Sequence, residues 1–279
     1  VDYTDANTGP IFMTYRSKKE INQLVEDWIK KNKPIYDFIS DDKIGHTVWA
    51  IDDKDIICKL IELFKEVNYL YIADGHHRSA SAVKVGLKRR KENPNYSGTE
   101  EFNFFLSVLF PDEQLYIMDY NRVVKDLNGH STEEFLEKIK EKFQVEVYTG
   151  KGQYKPEEKH RFGMYLDNKW YKLKAKEGTF DPKDSVNRLD VSILQNNLLA
   201  PILGIHDPRT DNRIDFIGGI RGLEELERRV SIDMKVAFSM YPTSIEDLMA
   251  IADEGKVMPP KSTWFEPKLR SGLFIHKLS

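Results

Sequence analysis

Tyr69-Leu70-Tyr71-Ile72-Ala73-Asp74-Gly75-His76-His77-Arg78 is the stretch on which the reading of this sequence turns. An apolar, aromatic-rich run has the composition of a buried strand. Asp74-Gly75 breaks it, and a helix-like stretch begins at Ser79 and runs to about Lys91, where Asn93-Pro94 stops it. Gly75 can supply φ > 0 or close backbone approach, and a helix start offers free N–H groups to an anion. Arg78 adds a bidentate phosphate donor. His76 or His77 can donate to a phosphoryl oxygen or move a proton near neutral pH. Asp74 can hold magnesium or accept a hydroxyl proton. The structural alternative is a simple helix cap with surface histidines, but a cap needs neither two histidines nor an arginine.

Outward from this segment, strands and helices alternate. Ile11 to Tyr15 reads as a strand. Ser17, with Glu20 in a capping-box position, starts a helix of about fifteen residues whose stripe is Ile21, Leu24, Val25 and Trp28. Strands are expected at Ile35 to Ile39 and Thr47 to Ile51, around a turn at Ser40-Asp41-Asp42, and a helix at Ile56 to Phe64. Phe104 to Phe110 reads as a central strand, paired with Leu115 to Met118 across a short turn. Ser131 and Glu134 open a helix to Phe143. The chain is then β-rich, with Val145 to Tyr148, Arg161 to Leu166 and Trp170 to Leu173 around an Asp167-Asn168 turn. Helices follow at Val191 to Leu199 (capped by Asp190), Leu223 to Val230 and Ile245 to Asp253 (opened by Thr243 and Glu246), with strands at Lys235 to Met240 and Ser271 to Leu278. The expected class is α+β (mixed α/β), with a core over residues 1–150 and a C-terminal part over 151–279; polar Lys151 to Pro156 is a linker or a long loop.

The 279 residues suffice for one large or two modest cores. With 31% charged residues, 40% apolar residues and a net charge of −3, the chain has a soluble composition and no electrostatic footprint for nucleic acid. No apolar run has membrane-spanning length. The single Cys58 excludes an internal disulfide and a multi-cysteine metal site, fits a reducing, cytoplasmic location, and reads as a buried small hydrophobe. Val1 to Gly9 reads as a piece of something longer.

Three other segments carry candidate chemistry. His206-Asp207-Pro208-Arg209-Thr210-Asp211-Asn212-Arg213, followed by Gly218-Gly219-Ile220-Arg221-Gly222, can cradle an anion. It matches neither a dinucleotide fingerprint nor a P-loop, and reads equally as a glycine turn with Arg209 and Arg213 paired to Asp207 and Asp211. In Met258 to Lys268, two prolines stiffen the approach to Lys261, Ser262 and Thr263, which present a cation and two hydroxyls. Ser40-Asp41-Asp42 with His46 is a metal or proton-relay candidate, or a solvated turn. Lys88-Arg89-Arg90-Lys91 reads as a solvated helix C-terminus.

The Asp-Gly-His-His-Arg segment, between a strand and a helix, resembles the nucleotide-phosphate motif of the ParB/sulfiredoxin superfamily. That motif reads Gly-Cys-His-Arg in sulfiredoxins, Gly-Glu-Arg-Arg in many ParB proteins, and Asp-Gly-His-His-Arg in free-serine kinases. The whole chain resembles family 1015 of the domains of unknown function, often labelled ParB-like, through Thr8 to Phe12, Tyr71 to Ala82, Asp207 to Gly222 and Met258 to Leu273. His76 stands at the sulfiredoxin cysteine position and Cys58 lies sixteen residues before Asp74, so sulfinic-acid reduction is not expected. In the serine kinases a glutamate N-terminal to the motif is the catalytic base. Family members carry a portion ahead of the Thr-Gly-Pro segment that this chain lacks, and the base's counterpart is expected there.

The resemblance implies a ParB/sulfiredoxin-like core, a C-terminal part contributing to the same site, and a nucleotide-binding phosphotransferase acting on a small hydroxylated metabolite. Asp74 and His77 would be catalytic, with Asp74 on magnesium. Gly75, His76, His77, Arg78 and Ser79 would hold the phosphates of ATP, ADP or CTP, and Arg221, Gly218, Gly219, Lys261, Ser262 and Thr263 a substrate or second anion. No haem, flavin or zinc is expected, and neither nucleic acid nor membrane is an expected partner. The rivals are a nucleotide-gated ParB-like regulator or adaptor without turnover, and a phosphohydrolase.

Overall fold

The computed structural model describes residues 1–266 and 269–279. It is mixed α+β and divides into two compact units, Val1–Leu115 with Lys268–Ser279, and Tyr116–Pro267.

The first unit begins with β1 (Ala6–Asn7) and β2 (Ile11–Tyr15), followed by α1 (Lys19–Lys31). Ser17 does not cap α1: the N-cap is Lys18, without a side-chain bond, because the Ser17 hydroxyl accepts from Asn22 and its N–H donates to Asp112 at 2.9 Å. Of the expected stripe only Ile21 is fully buried. A hairpin of β3 (Tyr36–Ile39) and β4 (Gly45–Val48) precedes α2 (Lys54–Lys65), which Asp53 caps through the N–H groups of Asp55 and Ile56. Cys58 is exposed on α2 rather than buried, since the helix buries no residue completely.

Next come β5 (Tyr71–Asp74), α3 (His76–Glu92) and β6 (Ser107–Pro111). The sheet order is β5-β2-β6, with β2 antiparallel to β5 and parallel to β6. The expected central strand is therefore at an edge, and β2 is central. Alternation does not decide this, because Ile11, Phe12, Met13 and Tyr15 are all buried. The basic end of α3 is tied down, not simply solvated: Lys88 pairs with Asp2 and Arg89 with Asp5, each at 2.6 Å.

In the second unit, β7 (Tyr116–Met118) and β8 (Tyr120–Val124) lead to α4 (Thr132–Lys142), which carries the Ser131/Glu134 capping box. Then follow β9 (Phe143–Val147), β10 (Arg161–Leu166), β11 (Lys169–Ala175), α5 (Asp190–Leu194) with a π-helical turn at Gln195–Leu199, β12 (Ile214–Gly218), α6 (Glu224–Ile232), β13 (Val236–Met240), α7 (Ile245–Asp253) and β14 (Trp264–Glu266). Six strands form a sheet in the order β12-β8-β13-β10-β11-β9, every pair antiparallel. Residues 151–156 are a loop between two strands of this sheet. Alternate residues on one face, among them Phe162, Met164, Leu166, Val236, Phe238 and Met240, form the main core with α4 and α5. Val123, Ala237 and Ile217 pack on the other face with Leu226 of α6.

β7 pairs with β14 rather than with β6. The capping box of α7 is Ser244/Asp247, one residue along from the expected pair, because the Thr243 hydroxyl donates to the Ser262 carbonyl at 3.0 Å. Asp190 is the first residue of α5, not its cap, and its Oδ1 accepts the His160 N–H at 2.8 Å. The chain ends in the first unit, where only β15 (His276–Lys277) of the expected Ser271 to Leu278 strand forms, paired with β1. Among the described residues no helix is long and apolar enough to cross a membrane.

Candidate functional site

β5 and α3 set the geometry of the Asp74–Arg78 segment. The β2–β5 register slips between Phe12 and Met13: Phe12 faces Asp74 while Met13 faces Ile72, leaving Ala73 as the extra residue. Such an irregularity re-aims the side chains beyond it, and here that side chain is Asp74, exposed at the strand end. Gly75 follows at φ 97°, a left-handed conformation that costs glycine little. The chain then enters α3 at once, so His76, His77 and Arg78 form the first helical turn, and the helix starts three residues before Ser79.

Gly75 offers α3 no side-chain cap, so the first-turn N–H groups have no side-chain acceptor among the described residues. These groups and the helix dipole favour an anion. The His76 and His77 side chains are exposed and their imidazoles make no hydrogen bond among the described residues, while Ser79 is half-buried. Arg78 is held in place: Nη1 donates to the Pro10 carbonyl and Nη2 lies 3.4 Å from Asp74 Oδ2. A Cβ at Gly75 would come within 3.1 Å of the guanidinium, and one at Gly9 within 3.3 Å. Two glycines thus let the backbone close around Arg78. A guanidinium has five N–H donors, so some remain for a ligand. Gly9 and Pro10 were not among the expected site residues, although they lie in the Thr8 to Phe12 stretch.

The fit of magnesium rests on Asp74. Magnesium is commonly held by one or two carboxylates together with substrate phosphates, and Asp74 is one exposed carboxylate of that kind. Among the described residues there is no cluster of three or more His, Cys, Asp or Glu side chains placed to hold a metal on its own.

The second unit places the other candidates differently. Gly218 is where the Trp264 indole packs: a Cβ there would lie 2.6 Å from the ring. Gly219 meets the Asp119 carboxylate in the same way, at 2.5 Å, and its N–H donates to the Asp119 carbonyl. Both glycines serve packing. Arg221 is exposed, 3.9 Å from Glu225. Arg209 and Arg213 pair with Asp207 and Asp211, each at 2.9 Å. Ser262 is buried and its hydroxyl donates to the Pro259 carbonyl at 2.6 Å, so it presents no free donor. Lys261 sits at φ 58° with its ammonium 5.8 Å from the Tyr120 ring centre and 5.7 Å from that of Phe216. Thr263 is half-buried, and Pro267 and Lys268 lie outside the described residues.

Two cavities in this unit were not foreseen. One, of about 570 Å³, is lined by Arg122, residues of α5 and the π-helical turn, His206 to Arg209, Phe216 and Val257 to Pro260. It brings parts of two sequence clusters together around Arg122, which no motif singled out. No sequence signal marks it, because Tyr120-Asn121-Arg122-Val123-Val124 mixes polar and apolar residues. The other, of about 320 Å³, is lined by Lys159, His160, Arg188, Asp190, Tyr241, Thr243 and Asp247. There burial pushes the Asp190 carboxyl up to about 7 and lowers His160, while Asp247 pairs with Lys159 at 2.5 Å. In the first unit, Ser40 Oγ bonds Asp42 at 2.5 Å and lies 3.0 Å from His46 Nε2. The Ser40 hydrogen bond and Arg270 hold Asp42 at about 2, which leaves it a poor base at neutral pH.

The model of the family described as "Protein of unknown function (DUF1015)" matches residues 1–192, and the chain belongs to that family. No curated protein matches. Among solved structures, a free serine kinase variant in complex with AMP is 14% identical, with a TM-score of 0.40, covering 91% of this chain and 83% of that one. A variant in complex with ADP is 16% identical at the same TM-score and coverage. A conserved hypothetical protein from Pyrococcus furiosus is 14% identical, with a TM-score of 0.38, covering 94% and 90%.

Proposed function

We propose that this DUF1015 protein binds a nucleotide by its phosphates at residues 74–79 and transfers phosphate to a small hydroxylated molecule. The observation that carries the reading is the left-handed Gly75, which opens α3 without a cap beside a guanidinium fixed by Pro10. Anion-accepting N–H groups, a positioned cation and two exposed histidines occupy one helical turn. The likeness of Asp74–Arg78 to the motif of free-serine kinases, and with it a ParB/sulfiredoxin-type core, supports the same assignment.

In this reading the N–H groups of His76 to Arg78 and the spare Arg78 donors take the phosphate oxygens. His77 or His76 donates to a phosphoryl oxygen, and Asp74 receives the proton of the attacking hydroxyl or holds magnesium. Bound magnesium would neutralise charge on the phosphates. Phosphoryl transfer asks mainly for positioning and charge neutralisation, which these groups provide.

Thermal-shift measurements with ATP, ADP, CTP and GTP, each with magnesium, test the binding step. At least one nucleotide should raise the melting temperature; none doing so removes the proposal. Where one binds, transfer to serine and other small alcohols separates a kinase from a hydrolase, which releases inorganic phosphate. Binding with neither outcome identifies a gated module.

A further inference from the structure

The cavity around Arg122 raises a question that the phosphate segment does not answer: why a guanidinium is buried there. Arg122 is 3% exposed. Its hydrogen bonds go to two carbonyls, those of Tyr120 and Lys261, the latter at 2.9 Å. Arg122 makes no ion pair among the described residues; Asp190 acts on it only through its field. Burial lowers its pKa to about 10, so the cation is retained at neutral pH in a place that disfavours it. A buried charge is normally paired with an opposite one. Two carbonyls satisfy part of a five-donor fork and none of its charge.

The surroundings complete a site. Ser192 is 5% exposed, lines the same cavity, and its hydroxyl makes no hydrogen bond among the described residues. The neighbouring wall is the π-helical turn, where the Ala200 N–H reaches the Gln195 carbonyl at 2.9 Å; such turns recur at functional sites. Phe216 and Met258 give an apolar side, with the Arg122 guanidinium 5.6 Å from the Phe216 ring centre. The Lys261 ammonium lies against the same ring. Asp207, also in the lining, is already bound by both arms of Arg209 at 2.9 Å. The volume suits a small metabolite.

We infer that the second unit holds its own site for a small organic oxyanion, with Arg122 and Ser192 gripping the carboxylate or phosphate and Phe216 and Met258 covering the apolar body. The inference does not depend on the nucleotide proposal.

The test uses the full chain with ¹³C-methyl methionine, the Met258 signal being assigned through M258L. The probes are benzoate, phenyl phosphate and uncharged benzyl alcohol. Benzoate or phenyl phosphate should shift the Met258 methyl saturably, and benzyl alcohol at equal concentration should not. The stronger of the two anions tells a carboxylate site from a phosphate site. Arg122→Lys, which keeps the charge but loses the fork, should weaken binding about tenfold or more. Ser192→Ala, milder for folding, should weaken it roughly threefold to tenfold. The inference is overturned if neither anion shifts Met258, if benzyl alcohol shifts it equally, or if folded Ser192→Ala and Arg122→Lys proteins bind the anion as wild type does.

Discussion

At Gly75 the backbone lies at φ 97°, and a Cβ would come within 3.1 Å of the Arg78 guanidinium. Gly75→Ala is therefore strained twice and should cost about 1–2 kcal/mol. It should also displace Arg78 and weaken nucleotide binding; urea denaturation and nucleotide titration read the two effects separately. Asp190 concerns stability instead. Its Oδ2 is buried without a hydrogen-bond partner among the described residues, and burial raises the carboxyl from 3.8 to about 7. Between those values the folded chain keeps a proton that the unfolded chain has released. Stability from this group is thus fully present below about pH 4, falls as pH rises, and is lost above about pH 7, a change of up to roughly 4 kcal/mol. Asp190→Asn keeps the acceptor for the His160 N–H but cannot ionise. It should match wild type at pH 4 and exceed it at pH 8 in urea unfolding; equal stability at pH 8 would contradict this account of Asp190.

Elements defined by local pattern were legible in the sequence. β2 and β10 have the expected bounds, and the Ser131/Glu134 box opens α4 as expected. Ser131→Ala should cost about 1 kcal/mol by denaturant titration. Elements whose partners are distant were not legible. β7 looked like one arm of a hairpin because β6 is close in sequence, yet its edge is taken by β14, far along the chain. At α7 two overlapping boxes both satisfied the spacing, and only the tertiary bond from Thr243 to Ser262 decides between them. The start of α3 was placed three residues late because histidine and arginine are uninformative helix starters; the left-handed Gly75 is what begins it. Gly218 ends β12 against the Trp264 ring, so Gly218→Ala should destabilise the protein by about 1–3 kcal/mol in denaturant titration.

Across the whole molecule, the two units are built differently. The second has a six-stranded antiparallel sheet and a continuous apolar core, so residues 116–266 expressed alone should unfold cooperatively, with a near-UV circular dichroism signal; a flat near-UV spectrum would contradict this. The mixed α+β class was readable from alternating strand and helix patterns, and the residue types of Asp74–Arg78 are what single that segment out as the proposed phosphate site. Arg122 was not readable, because a single arginine in a strand says nothing about which carbonyls and rings will surround it. Pro10 was equally hidden, since its role is a backbone acceptor 68 residues from Arg78. Arg78, beside the uncapped start of α3, is proposed to hold nucleotide phosphate. Isothermal titration of wild type and a folded Arg78→Ala variant with ATP and ADP, in the presence of magnesium, measures its contribution. Saturable binding by wild type, weakened about tenfold or more in the variant, is the predicted result. Absence of nucleotide binding to wild type, or unchanged affinity in the variant, would contradict it.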